Sequence, residues 1–142
     1  MSTTQPIRSK QLLHDFKDYY LTKQPNSRNY TLILIGLNTA LRINDILHLT
    51  WGDVYCTEHS RFYTHLLITE KKTEKETRIL INRELQETLL SYRKTQTSIA
   101  DTDYLFPSPR KADSPLSRYQ AYRIVRKAAE AVGIEDVIRC HS

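Results

Sequence analysis

Arg42 is a single positive charge between two segments whose apolar residues recur at helical spacing. Taking a guanidinium group out of water costs several kcal/mol in a protein unless the group is paired. Two partners could neutralise it: the carboxylate of Asp45, about one helical turn further along the chain, or an anion on a ligand. From these residues alone the Arg42–Asp45 pair is favoured, and an arginine that binds phosphate is the alternative.

Two lysines, Lys71 and Lys72, fall in a short polar block between two segments rich in β-branched and aromatic residues. Such a block predicts a hairpin turn, from which a flexible ammonium group can reach a phosphate or a leaving oxygen. Acidic residues alternate with the lysines, Lys75 included, so a solvated turn without a ligand fits the same pattern. His141 stands next to the last residue, and a lone histidine there predicts no site by itself.

Hydrophobic spacing and capping residues predict the elements that must position these side chains. We expect helices over residues 9–21, from 28 onward, over 43–49, 82–96 and 117–132, strands over 63–69 and 77–81, and loops over 22–27 and 97–115. Asn82 and Ser117 are the expected helix caps, and Gly133 is the expected stop of the last helix. This order of elements predicts an α+β fold, mainly helical, with a small antiparallel sheet.

Two of the predicted helices have informative faces. The helix from residue 28 is apolar nearly all round, Leu37 included, and is expected inside the domain. The last helix is expected to turn one set of residues inward: Tyr119, Tyr122, Ile124, Val125, Ala128 and Ala129. Its exposed residues are Arg118, Arg123, Arg126 and Lys127. A helix start with basic side chains can hold phosphates; this and a plain solvated face are equally supported for Arg118, and the solvated face is favoured for Arg126.

Composition sets the broad class of the protein. A chain of 142 residues with 39% hydrophobic and 26% charged residues is expected to fold as a single domain, residues 1–142. No apolar run is long enough to span a membrane, and no signal peptide opens the chain, so we expect a cytoplasmic protein. The net charge of +5 suits a polyanionic partner. Two cysteines and scattered histidines predict neither a disulfide framework nor a metal site.

Four segments, taken in order, resemble the phage-integrase or tyrosine-recombinase family. The family has a helical segment that reads GLR, two residues, an acidic residue, Leu or Ile, two more residues, and then L-x-W-x-D. Residues 40–54 of this chain read ALRINDILHLTWGDV. It has a lysine in a hairpin turn, here Lys72 before Thr73. It then has LFPS and PLS, here residues 105–108 and 115–117, and finally H-x-L-R, which begins here at His141. One such motif is weak, whereas four in series with matching spacing are specific.

The resemblance implies an integrase-like catalytic domain with a three-stranded antiparallel sheet. In this family a tyrosine attacks the scissile phosphate of DNA and forms a 3′-phosphotyrosyl link, without a metal or a cofactor. By analogy Arg42 would clamp the nonbridging oxygens, Asp45 would orient it, Lys72 would protonate the 5′-oxygen and His141 would act as a general acid/base. The implied partners are double-stranded DNA and other recombinase protomers on that DNA. The expected DNA contacts are Lys71, Lys75, Arg118, Tyr119 and Arg123.

The chain departs from the family pattern in three places. Ala40 replaces the glycine of GLR, so a helix boundary normally eased by glycine must form with an ordinary residue. The second arginine and the nucleophilic tyrosine of the pattern would lie beyond Ser142, so we expect the chain to be cut inside its active site and inactive alone. The resemblance begins at about residue 25, so we also expect the chain to lack the family's separate N-terminal core-binding domain.

Two other hypotheses remain at this point. The first is a non-catalytic DNA-binding or interaction module derived from an integrase. The second is an unrelated basic α+β domain, which requires the motif series to be a coincidence. We expect a monomer in solution, both for a recombinase catalytic domain and for a non-catalytic module derived from one.

Overall fold

The computed structural model describes residues 6–69 and 73–134, with side chains from residue 9 onward. Six α-helices are formed in this part of the chain: α1 Pro6–Asp18, α2 Ser27–Thr39, α3 Ile43–Leu47, α4 Trp51–Val54, α5 Arg83–Arg93 and α6 Arg118–Val132. A π-helical turn, Tyr19–Lys23, continues α1. The α+β class that the sequence predicts is confirmed.

The sequence predicts the N-terminal caps of α5 and α6 correctly. The Asn82 side chain accepts a hydrogen bond from the backbone N–H of Leu85 at 2.9 Å, and that of Ser117 accepts one from Gln120 at 3.1 Å. Gly133 ends α6 in the left-handed region, with φ 87°. Helix α2 is capped by a residue of the predicted loop 22–27. The Asn26 side chain accepts a hydrogen bond from the backbone N–H of Asn29 at 3.0 Å.

The predicted helix over residues 43–49 is shorter than expected and is followed by another. Helix α3 ends at Leu47, and α4 begins at Trp51 after Thr50. The Asp53 side chain accepts a hydrogen bond from the Thr50 backbone N–H at 2.9 Å, which satisfies a donor at the start of α4. Trp51 and Gly52 therefore lie in the first turn of a separate helix.

The strands form two two-stranded antiparallel ladders in the described residues, where one three-stranded sheet was expected. β1 Tyr55–Cys56 pairs with β2 Arg61–Phe62, and β3 His65–Thr69 pairs with β4 Glu76–Leu80. The chain bends at Thr64, between β2 and β3. Because of that bend, one stretch of chain pairs with β1 by its first half and with β4 by its second half.

The core lies between α2 and the elements packed around it. Leu32, Ile33, Leu34 and Ile35 of α2 are all buried, and α2 packs against α1, α3 and α5. The segment after α5 is a loop as predicted, yet Leu105 and Phe106 within it are fully buried. The Leu105 N–H donates to the Leu49 carbonyl at 3.0 Å, so this loop is tied to the chain just before α4.

Two residues expected inside the domain are exposed. Leu37 is 41% exposed and Tyr119 is 70% exposed. Leu37 lies in the last turn of α2, and Tyr119 lies in the first turn of α6. Ala121, which the sequence analysis did not place inward, is fully buried instead. Among residues 6–69 and 73–134, none of the helices combines the length and apolar composition needed to cross a lipid bilayer.

Candidate functional site

Arg42 lies where the chain leaves α2 and enters α3. Ala40 ends α2 in the left-handed region, with φ 58° and ψ 20°, and Arg42 itself is extended before the first turn of α3. This reversal buries Leu41 and Ile43 on either side and leaves Arg42 exposed. Two buried neighbours therefore hold the backbone that presents the guanidinium group to solvent.

The expected pairing of Arg42 with Asp45 is not formed. In the part of the chain that the structure describes, no carboxylate lies within 4.0 Å of Arg42 and no side-chain hydrogen bond reaches it. The premise that Arg42 is desolvated between two helices is wrong, because its side chain is at the surface. An incoming anion can therefore bind Arg42 without first breaking an ion pair.

Most other residues of the segment 40–54 build the fold. Leu47, Leu49 and Trp51 are buried, and Asp53 holds the start of α4. The later motif residues also build the fold, since Leu105 and Phe106 are buried and Ser117 caps α6. Arg42, in contrast, forms no ion pair and no side-chain hydrogen bond with the described residues, so its side chain does not hold the fold together.

Three of the predicted site residues, Lys71, Lys72 and His141, lie outside the described residues. The β3–β4 ladder that leads to the lysine turn is described, with Thr69 paired to Glu76. Lys75 is exposed just before β4, and its backbone N–H donates to the Thr73 hydroxyl at 3.2 Å. The hairpin predicted to carry the lysines is thus present up to the turn.

The first turns of α6 carry the other predicted contacts. Arg118 and Tyr119 are exposed, and the Arg123 guanidinium lies 5.8 Å from the centroid of the Tyr119 ring. At that distance a cation interacts favourably with an aromatic face. Tyr119 and Arg123 are therefore brought together, one helical turn apart, on the same exposed face of α6.

That face lines a groove of about 780 Å³, which we call the basic groove. Its lining comes from α6, from residues 20–29 opposite it, and from two residues of the preceding loop: Tyr20, Gln24, Pro25, Asn26, Arg28, Asn29, Pro109, Leu116, Tyr119, Gln120, Arg123, Ile124, Arg126, Lys127 and Glu130. Four of these residues are cationic: Arg28, Arg123, Arg126 and Lys127. Arg28 was missed from sequence, because it lies in the first turn of an apolar helix and no local pattern brings it to α6.

Hydrogen bonds fix the two walls of the basic groove. The Tyr20 hydroxyl donates to the Ile124 backbone carbonyl at 2.7 Å, which ties the π-helical turn to α6. Burial raises the pKa of Tyr20 to about 12, so its hydroxyl remains a protonated donor at neutral pH. The Arg28 Nε donates to the Asn29 Oδ1 at 2.9 Å, which orients the guanidinium group and leaves its outer nitrogens for another acceptor.

Arg42 and the basic groove are linked through α6. Helix α3 packs against α6. Leu41 and Ile43, which flank Arg42, line a small apolar cleft together with Val125 of α6. The placement of Arg42 and the shape of the basic groove thus both depend on the position of α6.

Comparison with known proteins agrees with this fold and with the motif series. A family model described as "Phage integrase family" matches residues 5–142. The "Probable integrase/recombinase YoeC" of Bacillus subtilis (strain 168) is 42% identical over 137 residues, which cover 96% of this chain and 69% of that protein.

Two solved structures show a similar fold. The crystal structure of XerA recombinase matches with a TM-score of 0.70 at 20% identity, covering 95% of this chain and 47% of that one. The Tn1549 transposon integrase, solved in complex with a circular intermediate DNA, matches with a TM-score of 0.51 at 16% identity, covering 99% of this chain and 58% of that one. This chain therefore spans about half the length of the structures it resembles. The resemblance seen in the sequence is confirmed, and the chain belongs to the phage integrase family.

Proposed function

We propose that this chain forms part of a site-specific DNA recombinase that cleaves and rejoins DNA through a phosphotyrosyl intermediate. The observation that carries the proposal is Arg42, which is exposed and unpaired in the described residues at the position where the family pattern has its first arginine. Membership of the phage integrase family supports the reaction class. The Tn1549 integrase, solved with DNA, supports duplex DNA as the partner.

In the proposed reaction a tyrosine oxygen attacks the scissile phosphorus, the bond from phosphorus to the 5′-oxygen breaks, and that oxygen takes up a proton. Negative charge grows on the two nonbridging oxygens during the attack. Arg42 can donate two parallel hydrogen bonds to them, and fixed cationic donors of this kind lower the barrier. Lys72 is the proposed proton donor to the 5′-oxygen, and His141 the proposed general acid/base. Asp45, one turn from Arg42, is proposed to orient it once DNA is bound.

None of the nine tyrosines in the printed residues follows His141, so none inherits the nucleophile's place in the family pattern. Two of them are also unsuited to nucleophilic attack, because burial raises the pKa of Tyr20 and that of Tyr92 to about 12. We therefore propose that a polypeptide limited to these 142 residues binds duplex DNA without cleaving it.

The proposed DNA contacts are the lysine hairpin and the start of α6, with Lys71, Lys75, Arg118, Tyr119 and Arg123. We also propose that the protein is a monomer in solution and that it binds its DNA together with other recombinase protomers. Phosphate contacts of this kind make affinity fall steeply with salt, because each one releases counterions from the DNA.

The first test is binding of the 142-residue chain to a duplex at several salt concentrations. We expect a linear fall of log K with log salt concentration. Binding that is absent at low ionic strength would contradict a DNA partner.

The second test concerns Arg42 and uses the protein that the full reading frame of the source DNA encodes. On a nicked duplex that traps the covalent intermediate, we expect the Arg42→Ala variant to lose phosphotyrosyl capture by at least about 100-fold, the scale set by removing one transition-state donor. Arg83→Ala is the matched control, since Arg83 is an exposed arginine on α5 and should leave capture unchanged.

Unchanged capture by Arg42→Ala would overturn the role of Arg42. Salt-sensitive binding without any capture by the parent protein would instead favour the non-catalytic DNA-binding module.

A further inference from the structure

Three cations of the basic groove lie close together on α6, where their mutual repulsion lowers the stability of the helix. Arg123, Arg126 and Lys127 are three and four residues apart on α6, so their side chains lie on one face of the helix. Like charges at this spacing destabilise a helix by about 0.2–0.5 kcal/mol per pair. Nothing in the packing of α6 requires this arrangement, because Arg123, Arg126 and Lys127 are exposed while Ala121, Ala128 and Ala129 fill its buried side.

These charges have no acidic partner among the described residues. Within residues 6–69 and 73–134, no carboxylate lies within 4.0 Å of Arg28, Arg123, Arg126 or Lys127. Glu130 also lines the groove, but it lies C-terminal to the cations at four residues from Arg126, the less favourable direction for a helical ion pair. The groove therefore keeps a net positive charge and a free donor capacity.

Both walls add neutral donors to these cations. Gln24 and Asn26 come from the segment between the π-helical turn and α2, and Gln120 comes from the first turn of α6. Arg, Lys, Asn, Gln and Tyr are the side chains that contact phosphate and sugar in protein–DNA interfaces. A groove lined by all five types fits a phosphodiester backbone better than an apolar ligand.

We propose that the basic groove binds the phosphate backbone of duplex DNA at a contact separate from Arg42 and the lysine hairpin, through Arg28, Arg123, Arg126 and Lys127. The inference rests on the proposed function in taking the polyanion to be duplex DNA. Such contacts carry no sequence information, so this site sets the strength and the length of the DNA footprint and leaves the choice of sequence to other residues.

The test is the salt dependence of duplex binding by the double variant Arg126→Gln/Lys127→Gln in the 142-residue chain. Each phosphate contact contributes about 0.9 to the slope of log K against log salt concentration, so loss of two contacts lowers the magnitude of the slope by about 1.8. The loss should be the same on two duplexes of unrelated sequence. Arg28→Gln, on the opposite wall, should lower the slope by about 0.9 on its own.

The matched control is Arg83→Gln/Lys94→Gln, which removes the same net charge from two exposed positions, the first residue of α5 and its C-cap, that do not line the groove. Its slope should stay near that of the parent. Circular dichroism on every variant checks that the helices are retained.

Three outcomes overturn the inference while leaving the proposed function intact. The first is a groove variant with the parent's slope, and the second is an equal loss of slope in the α5 control. The third is an unchanged DNA slope together with lost binding to a polyglutamate peptide, which would make the occupant an acidic protein segment. A parent chain that binds no duplex at all contradicts the proposed function itself.

Discussion

Arg93 shows how a charged side chain can be used inside this fold. Its guanidinium carbon lies 3.9 Å from the centroid of the Tyr55 ring and 5.3 Å from that of Trp51. Its Nη1 atom is buried and has no hydrogen-bond partner among the described residues. The aromatic faces replace the missing acceptor, since a guanidinium plane stacks well on the negative face of a ring. Arg93 thus ties α5 to α4 and β1.

We expect Arg93→Ala to lower the free energy of unfolding by about 1–2 kcal/mol, the range of a partly desolvated cation–π contact. Arg93→Lys should recover only part of this loss, because an ammonium group has no flat face to stack. Urea denaturation followed by circular dichroism measures both. In the control Arg83→Ala, the side chain removed is 92% exposed, so its effect should stay within about 0.5 kcal/mol. Equal effects of the two alanine variants would show that the stack contributes nothing.

At the scale of elements, two helices end in the same left-handed conformation with different residues. Helix α6 ends at Gly133 with φ 87°, and α2 ends at Ala40 with φ 58°. A left-handed conformation costs a residue with a Cβ about 1–2 kcal/mol, whereas glycine adopts it freely. The sequence indicated this conflict, since Ala40 occupies the glycine position of the family pattern.

We therefore expect opposite signs for two exchanges. Ala40→Gly should raise the free energy of unfolding by about 0.5–1 kcal/mol, and Gly133→Ala should lower it by about 1 kcal/mol. Among the described residues, a Cβ added at Gly133 meets no atom within 4 Å, so the expected loss comes from the backbone conformation. Thermal and urea unfolding of both variants measure the effect. A destabilising Ala40→Gly would contradict strain at this helix end.

Elements were predictable where their signals are local. Asn82 and Ser117 act within three residues of themselves, so their caps could be read from the chain. Helix α4 was not predictable in this way, because its four residues are too few for a hydrophobic period and its start depends on Asp53. The division of the strands was also missed, because the bend at Thr64 leaves no mark in residue composition.

At the scale of the whole molecule, the contacts that sequence could not predict join residues far apart in the chain. Arg42 was identified from its motif, but its exposure depends on the left-handed turn at Ala40 and on how α3 packs against α6. The basic groove needs Arg28 and Lys127 from two distant elements. Neither pairing follows from periodicity, which describes one element at a time.

A polar network at the junction of α1, α2 and α5 is the long-range contact with a measurable pH dependence. Glu84 accepts from the Lys17 Nζ at 2.7 Å and from the Asn38 Nδ2 at 3.3 Å, and Asn38 accepts in turn from Asn82 at 2.6 Å. The hydrogen bond from Lys17 lowers the pKa of Glu84 below its ordinary value of 4.5. The hydrogen bond to Glu84 likewise raises the pKa of Lys17 above 10.5.

Because the folded state favours the ionised carboxylate, Glu84 stabilises the fold above pH 4.5, and this stabilisation is lost as the pH falls through the lowered pKa. Glu84→Gln should therefore be less stable than the parent near pH 7, by no more than about 1 kcal/mol because the pair is partly exposed. The difference should shrink below pH 4.5 as Glu84 becomes protonated, and also above pH 10.5 as Lys17 loses its proton. Urea unfolding across this pH range measures it.

Glu87→Gln is the control for this pH dependence, because Glu87 forms a more exposed pair with Arg83 at 3.4 Å. Its stability difference from the parent should be near zero and flat with pH, since two solvated side chains gain little from pairing. If Glu84→Gln keeps its full deficit after the carboxylate of the parent is protonated, the network acts through packing and its neutral hydrogen bonds. The charge on Glu84 would then have no part in joining α1 to α5.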